Sequence, residues 1–246
     1  MSMDKKNSVI AIVTKPLQLL VAWNCICQIS SPDAAVLIIV DHFDGAKTVH
    51  KNISRLCIFK KVVYVRNRFQ AFFRASLFLG SQVILIDSDV GRELGAYVRI
   101  YHNIHRNTRM MVYEEGIGSY HIDAASEFVR RTANKRPSVL VKNIRKFINL
   151  FLHPLNVVWW ILTCGRHGWS RYFGGSPEVY GIFLFNPELY PHNKITIKIK
   201  NSISDFIVCN EYLLWKIFGC KFELPHAGGE CIVYMSSWKV NQGLID

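Results

Sequence analysis

The sequence is short of acidic residues and has no pairing pattern among its cysteines. Its 246 residues carry 18 Asp and Glu against 30 Lys and Arg, which gives a net charge of +12. That excess favours an anionic partner, such as a nucleotide sugar, an acidic glycan, nucleic acid or an anionic membrane face, without choosing among them. The seven cysteines contain no Cys-x-x-Cys pair and no zinc-finger spacing with histidine. Reduced thiols and a cytoplasmic location are therefore expected, since no apolar run near the start is long enough for a secretion signal.

Several common sequence motifs are also missing. There is no Gly-x-x-x-x-Gly-Lys phosphate loop, and the Gly-Ile-Gly at residues 116–118 lacks the third glycine of the dinucleotide-binding fingerprint. No internal repeat or low-complexity tract is present. Half of the residues are apolar and 13% are aromatic, so the chain can bury a sizeable core. These features exclude repeat architectures and a disordered chain.

Residues 147–164 carry no formal charge and lie within a basic and apolar stretch at residues 135–170. The uncharged segment has about 18 residues, whereas a helix that crosses a membrane needs ~20 apolar ones, and Asn149 and Pro154 interrupt it. Two interpretations stay open. The segment is either a buried helix of the core or a helical segment that lies on an anionic membrane surface with its tryptophans among the headgroups.

Apolar runs alternate with helical patterns along the first half of the chain. Buried strands are predicted at residues 9–14, 34–40, 61–65, 82–87 and 109–113, and helices at residues 17–29, 47–59, 68–79 and 91–104. Further strands are predicted at residues 180–185, at an exposed edge over residues 195–199 and at residues 231–235, with a helix at residues 211–218. Nearly continuous apolar strands that alternate with helices indicate a parallel sheet covered on both faces. The expected fold class is therefore α/β with a Rossmann-like parallel sheet.

The segment Glu114-Glu115-Gly116 directly follows the fifth predicted strand. Ligands of parallel sheets bind at the carboxyl ends of the strands, which is where this segment lies. Adjacent carboxylates repel each other, so one of them should have a raised pKa, as suits a general base. Gly116 allows close approach of a ligand, and Ser119 can cap a following helix that faces the site. From the residues alone, a solvated acidic turn is an equally good interpretation.

The same segment resembles the acidic-acidic-Gly motif of bacterial sialyltransferases, most closely that of glycosyltransferase family 52 and the related polysialyltransferases. Residues 14–18, Thr-Lys-Pro-Leu-Gln, are similar to the Thr-Pro-Leu-Gln stretch near the start of those enzymes, with Lys15 inserted. Segments 180–190 and 232–237 also look like landmarks of this family. The resemblance loosely covers nearly the whole chain, and the Glu-Glu-Gly motif is its most specific part.

This resemblance implies a GT-B fold, in which two Rossmann-like domains enclose a cleft, with CMP-sialic acid as the nucleotide-sugar donor. An acidic residue of the motif is the general base in that family, which assigns the role to Glu114, with Glu115 as the alternative. Strand-end placement suggests that the acceptor side is lined by Thr14, Gln18, Gly116 and Ser119. The resemblance implies no metal cofactor. The acceptor would be a surface glycan or lipid-linked glycan, reached from the inner face of the cytoplasmic membrane.

The domain organisation expected from the resemblance is incomplete. Residues 1–230 would form the Rossmann-like acceptor-side domain, and residues 231–246 would begin a nucleotide-binding domain that is otherwise missing. The His-Pro pair with which the family binds the donor phosphate occurs here only at His153-Pro154, before the second domain begins. A truncated remnant without catalytic activity therefore stays open as an alternative.

A different site is suggested by Asp87-Ser88-Asp89, which ends the fourth predicted strand. Glycosyltransferases of the GT-A type place an Asp-x-Asp at such a position to hold Mn²⁺ or Mg²⁺ against a nucleotide diphosphate. The same carboxylates are also suited to cap the helix expected from residue 91. A metal-dependent transferase that uses Asp87 and Asp89 is thus the alternative to the metal-free one.

Basic and aromatic residues are interspersed over residues 66–78, a pattern that also occurs in nucleic-acid-binding proteins. The apolar side chains recur at positions 69, 72, 73, 77 and 78, which is the spacing of a helix that faces a core. We therefore interpret them as packing residues and do not expect nucleic acid as a partner.

Overall fold

The computed structural model of the chain describes residues 8–78, 80–114, 116–120 and 170–219. Within these residues, seven strands form one sheet in the order β3-β2-β1-β4-β5-β6-β7, and every neighbouring pair is parallel. The strands are β1 (Val9–Val13), β2 (Val36–Val40), β3 (Lys61–Val65), β4 (Val83–Ile86), β5 (Arg109–Tyr113), β6 (Val179–Leu184) and β7 (Thr196–Lys198). The predicted Rossmann-like parallel sheet is confirmed.

The helices cover both faces of the sheet, which is why the central strands are apolar at every position. They are α1 (Pro16–Ile29), α2 (Ala46–Leu56), α3 (Arg68–Ser76), α4 (Arg92–Ile104) and α5 (Ile203–Phe218). In β1, Val9 and Ala11 belong to the core that α1, α2 and α5 cover. Ile10 and Ile12 belong to the core beneath α3 and α4. The alternation of side chains along one strand thus supplies both halves of the core.

The strand order places a topological switch point between β1 and β4. The chain builds outward from β1 to β2 and β3, then returns to the other side of β1 with β4 and continues to β7. In open parallel sheets of this kind, the loops at a switch point diverge and leave a crevice beyond the strand ends. The switch point therefore marks the edge at which a ligand site is expected.

Three helix boundaries differ from the sequence prediction by three or more residues: the end of α2 at Leu56, the end of α3 and the start of α5. α5 begins at Ile203, eight residues before the predicted start at residue 211, because the Ser202 hydroxyl caps it by accepting from the Asp205 N–H at 3.1 Å. It ends at Phe218 and is followed by Gly219, whose φ of +73° suits glycine. α3 ends at Ser76, three residues before the predicted end.

The interpretation of the aromatic residues of α3 as core packing is wrong for two of the three. Ala71, Phe72 and Ala75 face the sheet and are buried, whereas Phe69 and Phe73 are 56% and 57% exposed. Apolar residues lie nearly all round this helix, so periodicity alone did not reveal which of them face inward.

Three predicted features lie outside the described residues, namely the segment 147–164, the strand at residues 231–235 and the second domain expected from residue 231. The short β7 pairs only with β6 in the described sheet, in agreement with the predicted edge strand. Within the described ranges, no helix combines the length and apolar character that crossing a bilayer requires.

Candidate functional site

The carboxyl ends of β1, β4 and β5 bring three predicted site residues to one edge of the sheet. Thr14 follows β1, Asp87 follows β4 and Glu114 follows β5. Neighbouring strands of a sheet lie ~4.8 Å apart, so these three positions span a short distance across the switch point. Backbone pairing of Ile86 with Val112 sets the relative height of the last two. The edge predicted from sequence therefore exists.

Four side chains at the switch point form one hydrogen-bonded network, which we call the switch-point cluster: Thr14, Gln18, Arg68 and Asp87. Gln18 Oε1 accepts from the Thr14 N–H at 2.8 Å, and Thr14 Oγ1 lies 2.7 Å from Gln18 Oε1 and 3.0 Å from Asp87 Oδ2. The Arg68 guanidinium donates to both oxygens of the buried Asp87 carboxylate, from Nη2 to Oδ2 at 2.6 Å and from Nη1 to Oδ1 at 3.3 Å. The cluster ties β1, α1, α3 and β4 together. Thr14 and Gln18 were predicted as acceptor-side residues, and the contact that the structure gives them is this network.

Breaking the switch-point cluster should destabilise the fold. In Arg68→Met, the buried Asp87 carboxylate loses its charged partner, and we expect the free energy of unfolding to fall by roughly 2–4 kcal/mol, below the range for a fully buried pair because Arg68 is 20% exposed. Urea unfolding followed by circular dichroism measures this. The exposed Arg66, replaced in the same way, is the control and should unfold like the wild type. Asp87→Asn added to Arg68→Met should recover part of the loss, and equal midpoints for Arg68→Met and wild type would contradict the role.

A cleft of about 390 Å³ opens beside the switch-point cluster. It is lined by His42, Asn67, Arg68, Val90, Gly91, Glu93 and Leu94. These residues follow β2 or begin α3 and α4, so the cleft lies at the same carboxyl edge of the sheet. Partial burial and the Arg68 charge lower the pKa of His42. The volume of the cleft falls within the range of sites for small molecules or for one part of a larger ligand.

Sequence reasoning did not single out the cleft residues. A usable signal was present, because His42 and Arg68 each come two or three residues after a predicted strand, where ligand contacts gather in parallel sheets. Arg68 was instead assigned to a basic, aromatic helix. The cleft lining does not include Glu114, which follows β5, and β1 and β4 lie between β5 and β2 in the sheet.

Glu114 is held at the end of β5 with only 8% of its surface exposed. Its Oε2 accepts two hydrogen bonds, from the Tyr120 hydroxyl at 2.6 Å and from the Phe185 N–H at 2.8 Å. Burial raises the pKa of the carboxyl, and these two donors oppose that rise. Tyr120 is itself fixed, because its hydroxyl oxygen accepts from the Asn186 N–H at 3.0 Å. The carboxylate is therefore oriented through one oxygen, and in the described part of the chain both of its side-chain hydrogen bonds fall on Oε2.

Residues 116–120 form a tight turn. Gly116 has a φ of +127°, a conformation that side-chain-bearing residues rarely adopt. The Ser119 N–H donates to the Gly116 carbonyl at 2.9 Å, and Ser119 is buried in the 3₁₀ turn Ile117–Tyr120. This turn brings Tyr120 back onto Glu114. Glu115 lies outside the described residues, and burial is the main cause of the raised Glu114 pKa among the described ones.

Asp89 has a structural role in the described residues. Its side chain is fully buried, with Oδ1 accepting from the Gly174 N–H and Oδ2 from the Ser176 N–H, both at 2.7 Å. Burial raises the pKa of Asp89 in spite of these donors. The Asp89 carboxylate thereby links the residues just before α4 to the segment that leads into β6 by two hydrogen bonds.

The two carboxylates proposed for the alternative metal site thus have separate protein partners, Arg68 for Asp87 and two backbone amides for Asp89. In the part of the chain that the structure describes, no three His, Cys, Asp or Glu side chains converge on a point that could hold a metal ion. The choice between a metal-free and a metal-dependent reaction therefore stays a prediction, to be decided by assay.

Comparison of this chain with models of protein families, with curated proteins and with solved structures finds no match. The site geometry and the sequence motif are accordingly the basis for any functional assignment.

Proposed function

We propose that this chain is a glycosyltransferase of the sialyltransferase-like GT-B kind, in which Glu114 is the general base. The donor would be a nucleotide sugar, CMP-sialic acid by resemblance, and the acceptor a surface or lipid-linked glycan at the inner face of the cytoplasmic membrane. The observation that carries the proposal is the buried Glu114 carboxylate at the carboxyl end of β5, oriented through Oε2 alone and with a raised pKa.

The proposed step is a single displacement. The acceptor hydroxyl oxygen attacks the anomeric carbon and forms the new glycosidic bond, while the bond from that carbon to the phosphate oxygen of CMP breaks and its electron pair leaves with CMP. The hydroxyl proton passes to Glu114 Oε1. A raised pKa makes the ionised carboxylate a stronger base, which favours general-base catalysis.

Neighbouring features support a sugar substrate at this edge. Gly116 leaves room for close approach of a ligand to the backbone beside Glu114, since no Cβ projects there. The cleft at the same edge of the sheet is lined by the first turn of α4, which has no side-chain cap and suits an anionic group of donor or acceptor. The net charge of +12 favours the approach of a negatively charged donor.

The test is transfer from labelled nucleotide sugars, with CMP-sialic acid first, to a lipid-linked glycan in the presence and absence of EDTA. Transfer that survives EDTA supports the metal-free reaction, whereas transfer restored only by Mn²⁺ or Mg²⁺ supports the alternative with Asp87 and Asp89. A remnant without activity would transfer no sugar under either condition. The decisive variant, Glu114→Gln, is treated in the Discussion.

Tyr120→Phe should shift the pH dependence of transfer. Its hydroxyl donates to the ionised Glu114 carboxylate and so lowers the pKa of that group. Without this donor the pKa rises further, and because the base must be ionised, the acid limb of the kcat/KM profile should move to higher pH.

The control for this prediction is Tyr212→Phe, the same substitution on the exposed surface of α5. It should reproduce the wild-type profile. An acid limb that stays in place in Tyr120→Phe, or that moves to lower pH, would show that Glu114 does not govern the rate.

A further inference from the structure

The outer face of α3 carries a row of large apolar side chains that the fold does not bury. Phe69, Phe73 and Leu77 are 56%, 57% and 54% exposed, and their spacing of four residues aligns them along one side of the helix and its last turn. We call these three residues the α3 stripe. The opposite side of α3 is anchored, since Phe72 packs against Tyr97 and Tyr101 of α4 with ring centroids 5.6 and 6.2 Å apart. The stripe is therefore displayed on a fixed helix.

Basic residues surround the α3 stripe. The sequence has no Asp or Glu from residue 45 to residue 86, and none from residue 94 to residue 113. Arg66 and Arg74 are exposed beside the stripe, and Lys61 lies with its ammonium 5.3 Å from the centre of the Phe78 ring at the far end of the helix. The buried Asp87 is already neutralised by Arg68. Glu93, exposed in the first turn of α4, is acidic and accepts from the Tyr97 hydroxyl, but the basic residues around α3 outnumber it, so this surface is net positive.

We propose that α3 docks the protein on an anionic lipid surface, with the α3 stripe inserted at the boundary between the headgroups and the acyl chains. Exposed Phe and Leu on one helix side with Arg and Lys at its borders is the composition of helices that lie in a membrane interface. The apolar stripe supplies insertion, and each basic residue near an anionic surface adds about fivefold to the partition coefficient. This inference does not depend on the proposed enzymatic function.

Two other occupants fit the same surface less well. A second copy of the chain, related by a two-fold axis, would bring this positive face against itself. A nucleic acid would match the charge and could stack on the phenylalanines, but Leu77 has no aromatic face for a base. An anionic bilayer matches both the charge and the aliphatic end of the stripe.

Docking through α3 would also orient the site. α3 begins at the carboxyl edge of the sheet, Arg68 in its first turn lines the cleft, and Phe69 is the next residue. A membrane that holds the α3 stripe therefore lies beside the cleft mouth, where a lipid-linked substrate could enter.

The experiment is flotation of the full chain with vesicles of phosphatidylcholine alone or with one quarter phosphatidylglycerol, at low salt. We expect the wild type to bind the anionic vesicles at least tenfold better than the neutral ones. The triple variant Phe69→Gln/Phe73→Gln/Leu77→Gln should lose at least tenfold of that binding, and Arg66→Gln/Arg74→Gln should lose about as much. Circular dichroism would verify that all variants remain folded, as expected for exposed positions.

The matched control is Val208→Gln/Tyr212→Gln/Trp215→Gln on α5. These residues form a comparably exposed apolar row, but α5 also carries Asp205 and Glu211 and lies on the opposite face of the sheet. This control should bind like the wild type.

Four outcomes would overturn the proposal: no binding of the wild type to anionic vesicles, equal binding to neutral ones, wild-type binding by the α3 triple variant, or loss of binding in the α5 control. Wild-type binding by the α3 variant would place the lipid contact elsewhere, for example in residues 147–164. A parallel titration with a single-stranded oligonucleotide tests the nucleic-acid alternative. Tight binding of the oligonucleotide without binding to vesicles would identify a nucleic-acid surface instead. Transfer activity is measured separately, so failure of the docking proposal leaves the enzymatic one untouched.

Discussion

Glu114→Gln should lower transfer by about 10²- to 10⁴-fold in kcat/KM, the range that a general base contributes. The amide keeps the size of the side chain and an oxygen that can accept from Tyr120 and Phe185, as the Glu114 carboxylate does in the wild type. It has no basic oxygen to accept the acceptor proton. The loss should therefore appear mainly in kcat, and it is measured with the labelled nucleotide-sugar assay under saturating donor.

The same variant should be no less stable than the wild type. Because burial raises the pKa of Glu114 in the folded protein above its unfolded value, the ionised carboxylate costs stability above the folded pKa. That cost begins to decrease as the pH falls below the folded pKa, and it is gone below the unfolded pKa. A neutral amide removes the cost at every pH, so the melting temperature at pH 7 should stay equal or rise.

Glu211→Gln is the matched control, since Glu211 is exposed on α5, on the face of the sheet away from the cleft. It should keep both activity and stability. Full activity of Glu114→Gln would contradict the proposed function. If the variant unfolded because its melting temperature fell, the pH profile of Tyr120→Phe would be the test of the base.

Asp89→Ala should be the most destabilising single change among the residues discussed. It removes the acceptor for two N–H groups, those of Gly174 and Ser176, in a fully buried place. Each unsatisfied buried donor costs ~1–3 kcal/mol, so the free energy of unfolding should fall by roughly 2–6 kcal/mol, and the melting temperature by roughly 5–20 °C. Calorimetry or thermal circular dichroism measures the shift.

Asp89→Asn separates the two hydrogen bonds. The amide oxygen can serve one N–H, while the amide NH₂ must face the other, so an intermediate loss is expected. Asp44→Ala, at an exposed loop position, is the control and should melt within about 1 °C of the wild type. If Asp89→Ala melted like the wild type and lost only metal-dependent transfer, the anchoring role would be wrong and the metal-site alternative would gain support.

The wrong interpretation of α3 has the same origin as the missed cleft. Both depend on which way a helix turns relative to the sheet. A helix with apolar residues on several sides gives no periodic preference, so the inward position of Phe72 and the outward position of Phe73 came only from packing against α4. The exposed phenylalanines are the residues on which the lipid-docking proposal rests.

The sequence by itself determined the α/β class, the strands and the edge at which the site lies. Buried parallel strands must be apolar at successive positions, and helices that cover them must alternate with them, so β1, β3 and β5 could be placed within a residue from local pattern. Glu114 could be located at a strand end by the same local reasoning. The assignment of Thr14 and Gln18 to that edge followed from their place just after β1.

Only the tertiary structure decided how these side chains are paired. Asp89 accepts from Gly174, 85 positions away in the chain, and Glu114 accepts from Phe185, 71 positions away. Arg68 contacts Asp87 because α3 connects β3 to β4, and in the sheet this connection passes over β2 and β1. A hydrogen bond depends on distance and angle within a few tenths of an ångström, and a pKa depends on how completely water is removed. Neither the hydrogen-bond geometry nor the pKa can be deduced from the local sequence, because each depends on segments that come together only when the sheet has assembled.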